Sequence, residues 1–169
     1  RGESMNLIAC ADENWGIGFE NRLLVHIPED MRFFRDMTLG SVVVMGRKTL
    51  ESLPGGRPLE GRRNLVLTRN PSYQAVGVQT APGIQALMQE LSFCESKNIY
   101  VIGGASIYRQ MLDFCDTAYI TKVARAYQAD AFLPNLDVQG GWRLAASSGA
   151  QFSPDAGVEY RFLRYERRG

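Results

Sequence analysis

The sequence predicts a single α/β domain: a mixed, mostly parallel sheet flanked by helices, with a C-terminal antiparallel hairpin. Three observations carry this expectation. Short apolar runs at Leu7-Ile8-Ala9-Cys10-Ala11, Val42-Val43-Val44-Met45, Asn64-Leu65-Val66-Leu67-Thr68 and Asn98-Ile99-Tyr100-Val101-Ile102 read as strands buried on both faces. Helical patterns separate several of them, as parallel crossovers require. The chain closes with two long strands, 142–150 and 158–167, joined by the Ser153-Pro154-Asp155-Ala156-Gly157 turn.

The bulk properties are those of one globular domain. The 169 residues are 45% hydrophobic and 22% charged, enough to bury a real core. Arg1-Gly2-Glu3-Ser4 ahead of Met5 reads as a leftover expression tag, so the domain is taken as residues 5–169. A net charge of +1 argues against nucleic acid or an anionic membrane as the main partner, and leaves room for a small anionic ligand. Cys10, Cys94 and Cys115 are odd in number and lack CxxC spacing, so free thiols in a reducing cytoplasm are expected. His26 is the only histidine, which argues against a zinc site or a His-based triad. No run approaches the roughly 18 apolar residues of a membrane span, and no signal peptide opens the chain.

Taken in order, the first strand empties into a long irregular segment, 12–25, with Trp15-Gly16-Ile17-Gly18 at its middle. A loop of that length inside a compact domain is usually functional or mobile. Pro28 then opens a helix that ends near Leu39-Gly40. At about 100° per residue, Ile27, Met31, Phe34 and Thr38 share one arc, with Phe33 and Met37 at its edge. Glu29, Arg32 and Asp36 lie opposite, but Asp30 falls inside the apolar arc. Two readings of Asp30 are open. It complements the helix dipole, a task Glu29 already fills from the wet side, or it faces a ligand cavity.

The Val42-Val43-Val44-Met45 strand delivers the chain to Gly46-Arg47-Lys48-Thr49, which begins a short helix to about Leu53. Free N–H groups, cations and a hydroxyl at a helix start make either an anion site or a solvated basic turn. A loop at Pro54-Gly55-Gly56-Arg57-Pro58 precedes the third strand, and Arg69 stands just past that strand's end. A short strand over 76–80, a helix over 84–91, and the strand over 98–102 follow. Gly103-Gly104-Ala105-Ser106 leads into a helix over 106–114, a second strand–glycine–helix junction that is not GxGxxG. A strand over 117–123 and a short extended piece over 130–134 precede the closing hairpin.

Two phosphate-type junctions beside an apolar cleft with one carboxylate point to a dinucleotide and a flat, largely apolar substrate whose cationic or amidine-like edge the acid would bind. No Ser-His or Cys-His pair is available for covalent chemistry, so a redox cofactor is expected to carry the reaction. With Trp15-Gly16-Ile17-Gly18, Ile27-Pro28-Glu29-Asp30-Met31, Val44-Met45-Gly46-Arg47-Lys48-Thr49, Gly61-Arg62-Arg63-Asn64 and Val101-Ile102-Gly103-Gly104-Ala105-Ser106-Ile107-Tyr108 in this order, the sequence resembles the dihydrofolate reductases of the bacterial chromosomal type, from Met5 to the last strand.

That resemblance implies NADPH-dependent reduction of 7,8-dihydrofolate by a cytoplasmic monomer, also a target of antifolate inhibitors. Asp30 matches the acid that holds the pterin and promotes N5 protonation, and Thr121 a hydroxyl beside it. Arg62 matches the arginine that grips the α-carboxylate of the substrate's glutamate tail. Met31, Phe34, Leu53 and Leu59 match the apolar walls, and Ile8 and Ile102 the strand ends whose carbonyls line the pterin pocket. On the cofactor side the resemblance implies contacts from Cys10, Ile17, Gly18, Gly46, Arg47, Lys48, Thr49, Thr68, Arg69, Ile102, Gly103, Gly104, Ala105, Ser106, Ile107 and Tyr108. Gly103-Gly104 matches a cis junction, and Arg47 with Thr68 and Arg69 a 2′-phosphate clamp. Residues 15–24 match a loop that closes over the nicotinamide, which Asp130 steadies.

Two features depart from the resemblance. Val25 stands where many bacterial members have a tryptophan that helps order a water beside the acid. The loop at Leu53-Pro54-Gly55-Gly56-Arg57 is two residues longer and is expected to alter inhibitor fit, not reaction type. His26 reads as exposed or loop-capping. The competing readings are another reductase on this scaffold, such as a pyrimidine reductase, and a non-catalytic nucleotide-binding module. Neither gives Asp30 together with Arg62 a purpose.

Overall fold

The structure is a computed structural model describing residues 5–95 and 98–168; the four residues ahead of Met5 and Gly169 lie outside it. The strands are β1 (Met5–Ala11), β2 (Gly16–Gly18), β3 (Val42–Gly46), β4 (Arg63–Leu67), β5 (Val78–Ala81), β6 (Ile99–Gly103), β7 (Cys115–Val123), β8 (Ala131–Phe132), β9 (Trp142–Ser147), β10 (Gln151–Ser153) and β11 (Val158–Arg167). The helices are α1 (Pro28–Thr38), α2 (Arg47–Ser52), α3 (Ile84–Leu91) and α4 (Ala105–Met111). Among the described residues one sheet runs β10-β11-β7-β1-β6-β3-β4-β5, with β9 also on β11. From β7 to β5 every pairing is parallel, and β11 adds on antiparallel.

Alternation along the buried strands assigns the two faces. Val43 and Met45 join Ile8, Val66 and Tyr100 under Phe33, Phe34 and Met37 of α1 and Leu50 of α2. Val42 and Val44 join Leu7, Leu65 and Val101 under Leu87 and Leu91 of α3 and Ile107 and Met111 of α4. Burial on both faces explains why these strands are continuously apolar. Because β1, β6, β3 and β4 are parallel, their C-terminal ends open on one edge of the sheet, the edge where α/β folds collect ligands.

The structure corrects three expectations. The segment 12–25 is not structureless: β2 pairs antiparallel with β8, Gly16 opposite Phe132 and Gly18 opposite Ala131. The expected strand over 142–150 ends at Ser147 as β9, and a further short strand, β10, follows at Gln151–Ser153; both are hydrogen-bonded to β11. Between the pairs Leu163↔Ser147 and Tyr160↔Gln151, residues 148, 149 and 150 oppose only 161 and 162, a one-residue bulge. The Ser148 hydroxyl makes the break, accepting the Phe162 amide at 2.9 Å and donating to the Gly149 carbonyl at 2.9 Å. The helix expected over 106–114 ends at Met111 and tightens into a 3₁₀ turn, Leu112–Phe114.

In α1, Pro28 does occupy the first turn. Ile27, Asp30 and Thr38 are buried, while Arg32, Arg35 and Asp36 are exposed. Glu29 is less solvated than its arc position predicts. Its carboxylate accepts the Ser153 hydroxyl at 2.9 Å and ties the end of β10 to the helix.

Candidate active site

Asp30 is 7% exposed, although it is a carboxylate in the first turn of a surface helix. Thr121 of β7 donates its hydroxyl to the Asp30 Oδ1 at 2.6 Å, and the Cys10 thiol of β1 lies beside the same carboxylate. Cys10 and Thr121 are register partners on neighbouring parallel strands, so their side chains leave the sheet on one face, beneath α1. Burial raises the Asp30 carboxyl above the usual carboxylate range, and the Thr121 hydroxyl and the Cys10 thiol pull it part of the way back. The Cys10 thiol is itself held well above its ordinary value, by burial first and by the Asp30 charge second, so it stays neutral. On the other side of β1, Tyr108 donates its buried hydroxyl to the Ile8 carbonyl at 2.7 Å.

The strand ends border an open cleft of about 1570 Å³. Every residue expected at the cofactor lines it, from Cys10, Ile17 and Gly18 through Gly46, Arg47, Lys48 and Thr49 to Thr68, Arg69 and the 102–108 segment. The Gly103–Gly104 peptide is cis. A Cβ on Gly104 would come within 3.5 Å of the Thr49 hydroxyl, and one on Gly46 within 3.1 Å of Ile107. The two glycine junctions therefore lie close together, with the starts of α2 and α4 opening on the same cleft. Arg47 pairs with Glu51 at 3.2 Å, whereas Lys48 and Arg69 have no ion pair among the described residues. Cations, hydroxyls and close-approach glycines on one wall fit a phosphorylated ligand.

A second group gathers on the α1 side. Phe34, Leu53 and Leu59 are half-buried and pack on the Val43, Met45 and Leu50 cluster. Met31 is also half-buried, as is Ile102, which lines the cleft. Arg62 donates through Nε to the Glu60 carbonyl at 2.9 Å and through a terminal nitrogen to the fully buried Thr38 hydroxyl at 3.1 Å. No carboxylate pairs with Arg62 among the described residues. Burial, and then the Arg35 charge, lower its pKa, with Glu60 acting the other way. Arg62 is thus a fixed cation with no ion-paired carboxylate among the described residues.

Several residues around the site were not singled out by sequence reasoning. Asn64, 3% exposed, braces the loop that carries Arg62. Its Nδ2 donates to the Leu59 and Arg62 carbonyls at 3.0 and 2.9 Å, and its Oδ1 accepts the Leu59 amide at 3.0 Å. Asn64→Ala leaves three backbone groups without this partner. It is expected to destabilise the fold by about 2–3 kcal/mol, read as a lower denaturant midpoint, and to loosen the Arg62 loop. Asn21 reaches over the cleft and donates to the Lys48 carbonyl at 3.3 Å. The Asp130 carboxylate accepts the Glu20 amide at 3.0 Å, consistent with the loop-steadying role expected of it. His26 is exposed on the cleft rim. Val25 packs on the Ile27, Val123, Val158 and Tyr160 cluster, which Tyr127 also covers.

A mostly parallel sheet with two glycine–helix junctions on its C-terminal edge, a buried acid and a half-buried arginine defines a ligand-binding α/β protein with a site suited to a phosphorylated ligand. The comparisons make this specific. The family model described as dihydrofolate reductase matches residues 4–167. The chain is 40% identical over 164 residues to the dihydrofolate reductase of Neisseria meningitidis serogroup A, covering 96% of this chain and 98% of that one. It is 42% identical over 139 residues to the type 3 dihydrofolate reductase of Salmonella typhimurium, covering 82% and 83%. A solved structure of Enterococcus faecalis dihydrofolate reductase complexed with NADP(H) and RAB-propyl superposes with a TM-score of 0.88 at 29% identity, covering 99% and 98%. The chain belongs to the dihydrofolate reductase family.

Proposed function

We propose that this chain reduces 7,8-dihydrofolate to 5,6,7,8-tetrahydrofolate with NADPH, and so feeds one-carbon and thymidylate metabolism. The observation that carries this reading is Asp30, a buried acid held by the Thr121 hydroxyl beside Cys10, which itself lines the cation-rich cleft. NADPH bound in the cleft supplies the hydride, delivered to C6 of the pterin. Asp30 accepts the pterin's amino group and adjacent ring nitrogen by paired hydrogen bonds and promotes protonation at N5. Its raised pKa keeps a larger protonated fraction near neutrality than a solvated carboxylate has. The Thr121 hydroxyl fixes the carboxylate's position. Met31, Phe34, Leu53 and Leu59 hold the flat rings and exclude water, and Arg62 takes the α-carboxylate of the glutamate tail.

On the cofactor wall, Arg47, Lys48, Thr49 and Ser106 hold phosphate oxygens, and Arg47 with Thr68 and Arg69 selects the 2′-phosphate. Ile17 and Gly18 cover the nicotinamide end. The Enterococcus faecalis relative, solved in complex with NADP(H), supports the choice of cofactor. The purified protein is expected to consume NADPH only when dihydrofolate is present, with NADH a poorer donor. Absence of dihydrofolate-dependent NADPH loss anywhere from roughly pH 5 to 8 would sink the proposal.

A further inference from the structure

Asp12 is 2% exposed, yet it is a carboxylate at the end of a strand path and touches neither Asp30 nor the cleft. Its Oδ1 accepts the amides of Asn14 at 2.9 Å and Gly16 at 2.8 Å. Its Oδ2 accepts the amide of Tyr127 at 2.9 Å, across 115 residues of sequence. One carboxylate therefore satisfies three backbone donors on two separate segments, the strongest kind of acceptor for buried N–H groups. The contact is reinforced on both sides. Glu13 donates its amide to the Arg125 carbonyl at 3.1 Å, and Lys122 donates to the Glu13 carbonyl at 3.3 Å while lying 4.3 Å over the Trp15 ring. A Cβ on Gly16 would meet Ala129 at 2.8 Å, so the loop lies flat against the 125–131 segment there.

The part of the loop beyond Gly18 is held differently. The Glu20 amide rests on an exposed Asp130 oxygen, and the Asn21–Lys48 bond is exposed. The loop thus divides into a stem fixed by buried and part-buried bonds to the Asp12 carboxylate and a tip fixed by exposed ones. Ile17 and Gly18, at the boundary, line the cleft, while Asp12 sits behind them.

We propose that Asp12 is a positioning residue for the cofactor: it locks the loop stem to the 125–127 segment and sets where Ile17 and Gly18 stand over the cleft, so that only the tip opens. The link to NADPH rests on the function proposed above; the stem–tip division does not. Hydrogen exchange on the full chain tests it. The amides of Asn14, Gly16 and Tyr127 are expected to form one slow set, with the Glu20 amide much faster. Asp12→Ala should cost that set about tenfold or more in protection while Val101 in β6 keeps its own. Asp12→Asn, which retains one acceptor oxygen, should cost less and serves if the alanine variant does not fold.

The NADPH dissociation constant, read by nucleotide fluorescence, should rise about tenfold in Asp12→Ala and less in Asp12→Asn, while KM for dihydrofolate holds in both. A merely structural role would lower the melting temperature without that split. Two results overturn the proposal: an unvaried protein whose three amides exchange as fast as Glu20, or variants that lose the protection but bind NADPH normally. An unvaried protein without dihydrofolate turnover, but whose NADPH binding still responds to Asp12, would overturn the proposed reaction and leave this inference standing.

Discussion

Asp30→Asn is expected to lower turnover by about 10²–10³-fold while NADPH binding is retained. Asparagine keeps an oxygen to accept the Thr121 hydroxyl and is nearly the same size, so the pocket survives, while the charge, the titrating proton and one of the two acceptors for the pterin are lost. The same substitution should not destabilise the protein. Burial raises the Asp30 pKa in the folded state, whereas in the unfolded chain it returns to about 3.9. Between those values the native state binds the proton more tightly, so stability falls as pH rises through the window and stays lower above it. At neutral pH the native carboxylate is therefore a liability that asparagine removes. The variant should melt at or above the parent temperature at pH 7, and the advantage should vanish below pH of about 4. Turnover of the parent should fall on the alkaline side of the raised Asp30 pKa, and the residual rate of the variant should lose that limb. Normal turnover in the variant, or a clear loss of melting temperature at pH 7, would contradict the role given to the acid.

The pairing of lost function with retained stability shows why Asp30 was legible in the sequence. A charge on the wrong arc of an amphipathic helix breaks a local rule, and such breaks gather at functional sites. The cofactor wall was legible for a related reason: Gly46-Arg47-Lys48-Thr49 and Gly103-Gly104-Ala105-Ser106 are each contiguous, so strand, glycine and helix start can be read in one stretch. What stayed hidden depends on distant partners. Gly16-Ile17-Gly18 is too short to declare itself a strand, and it becomes one only because Ala131 and Phe132 pair with it. The Asp12 carboxylate explains that pairing, and nothing near Asp12 in sequence announces Tyr127. The bulge at Gly149 likewise depends on Ser148 meeting Phe162 from the next strand. The helical arc of α1 gave its buried side correctly but could not say that Met31 and Phe34 are only half-covered, because a half-covered face and a core face share one periodicity.

Arg62 offers the second large effect, and it separates tail recognition from chemistry. Its guanidinium is held from two directions, by the Glu60 carbonyl at 2.9 Å and the Thr38 hydroxyl at 3.1 Å, with that hydroxyl in turn donating to the Phe34 carbonyl at 2.8 Å. Such bracing lowers the entropy lost when a carboxylate arrives. Burial and Arg35 also make the unpaired cation unfavourable, so a bound anion relieves an existing cost. Removing the charge should cost roughly 2–3 kcal/mol of substrate binding, the lower end for a buried charge pair because Arg62 is only half-buried. Arg62→Ala is therefore expected to raise KM for dihydrofolate by about 30- to 150-fold with kcat little changed, since the lost contact is equal in ground and transition states. Arg62→Lys should recover only part, because a point charge cannot make the bidentate fork. A dihydropterin lacking the glutamate tail should be reduced equally well by parent and variant. Equal losses on both substrates would mean that Arg62 supports the pocket as a whole, and the tail would have to be held elsewhere.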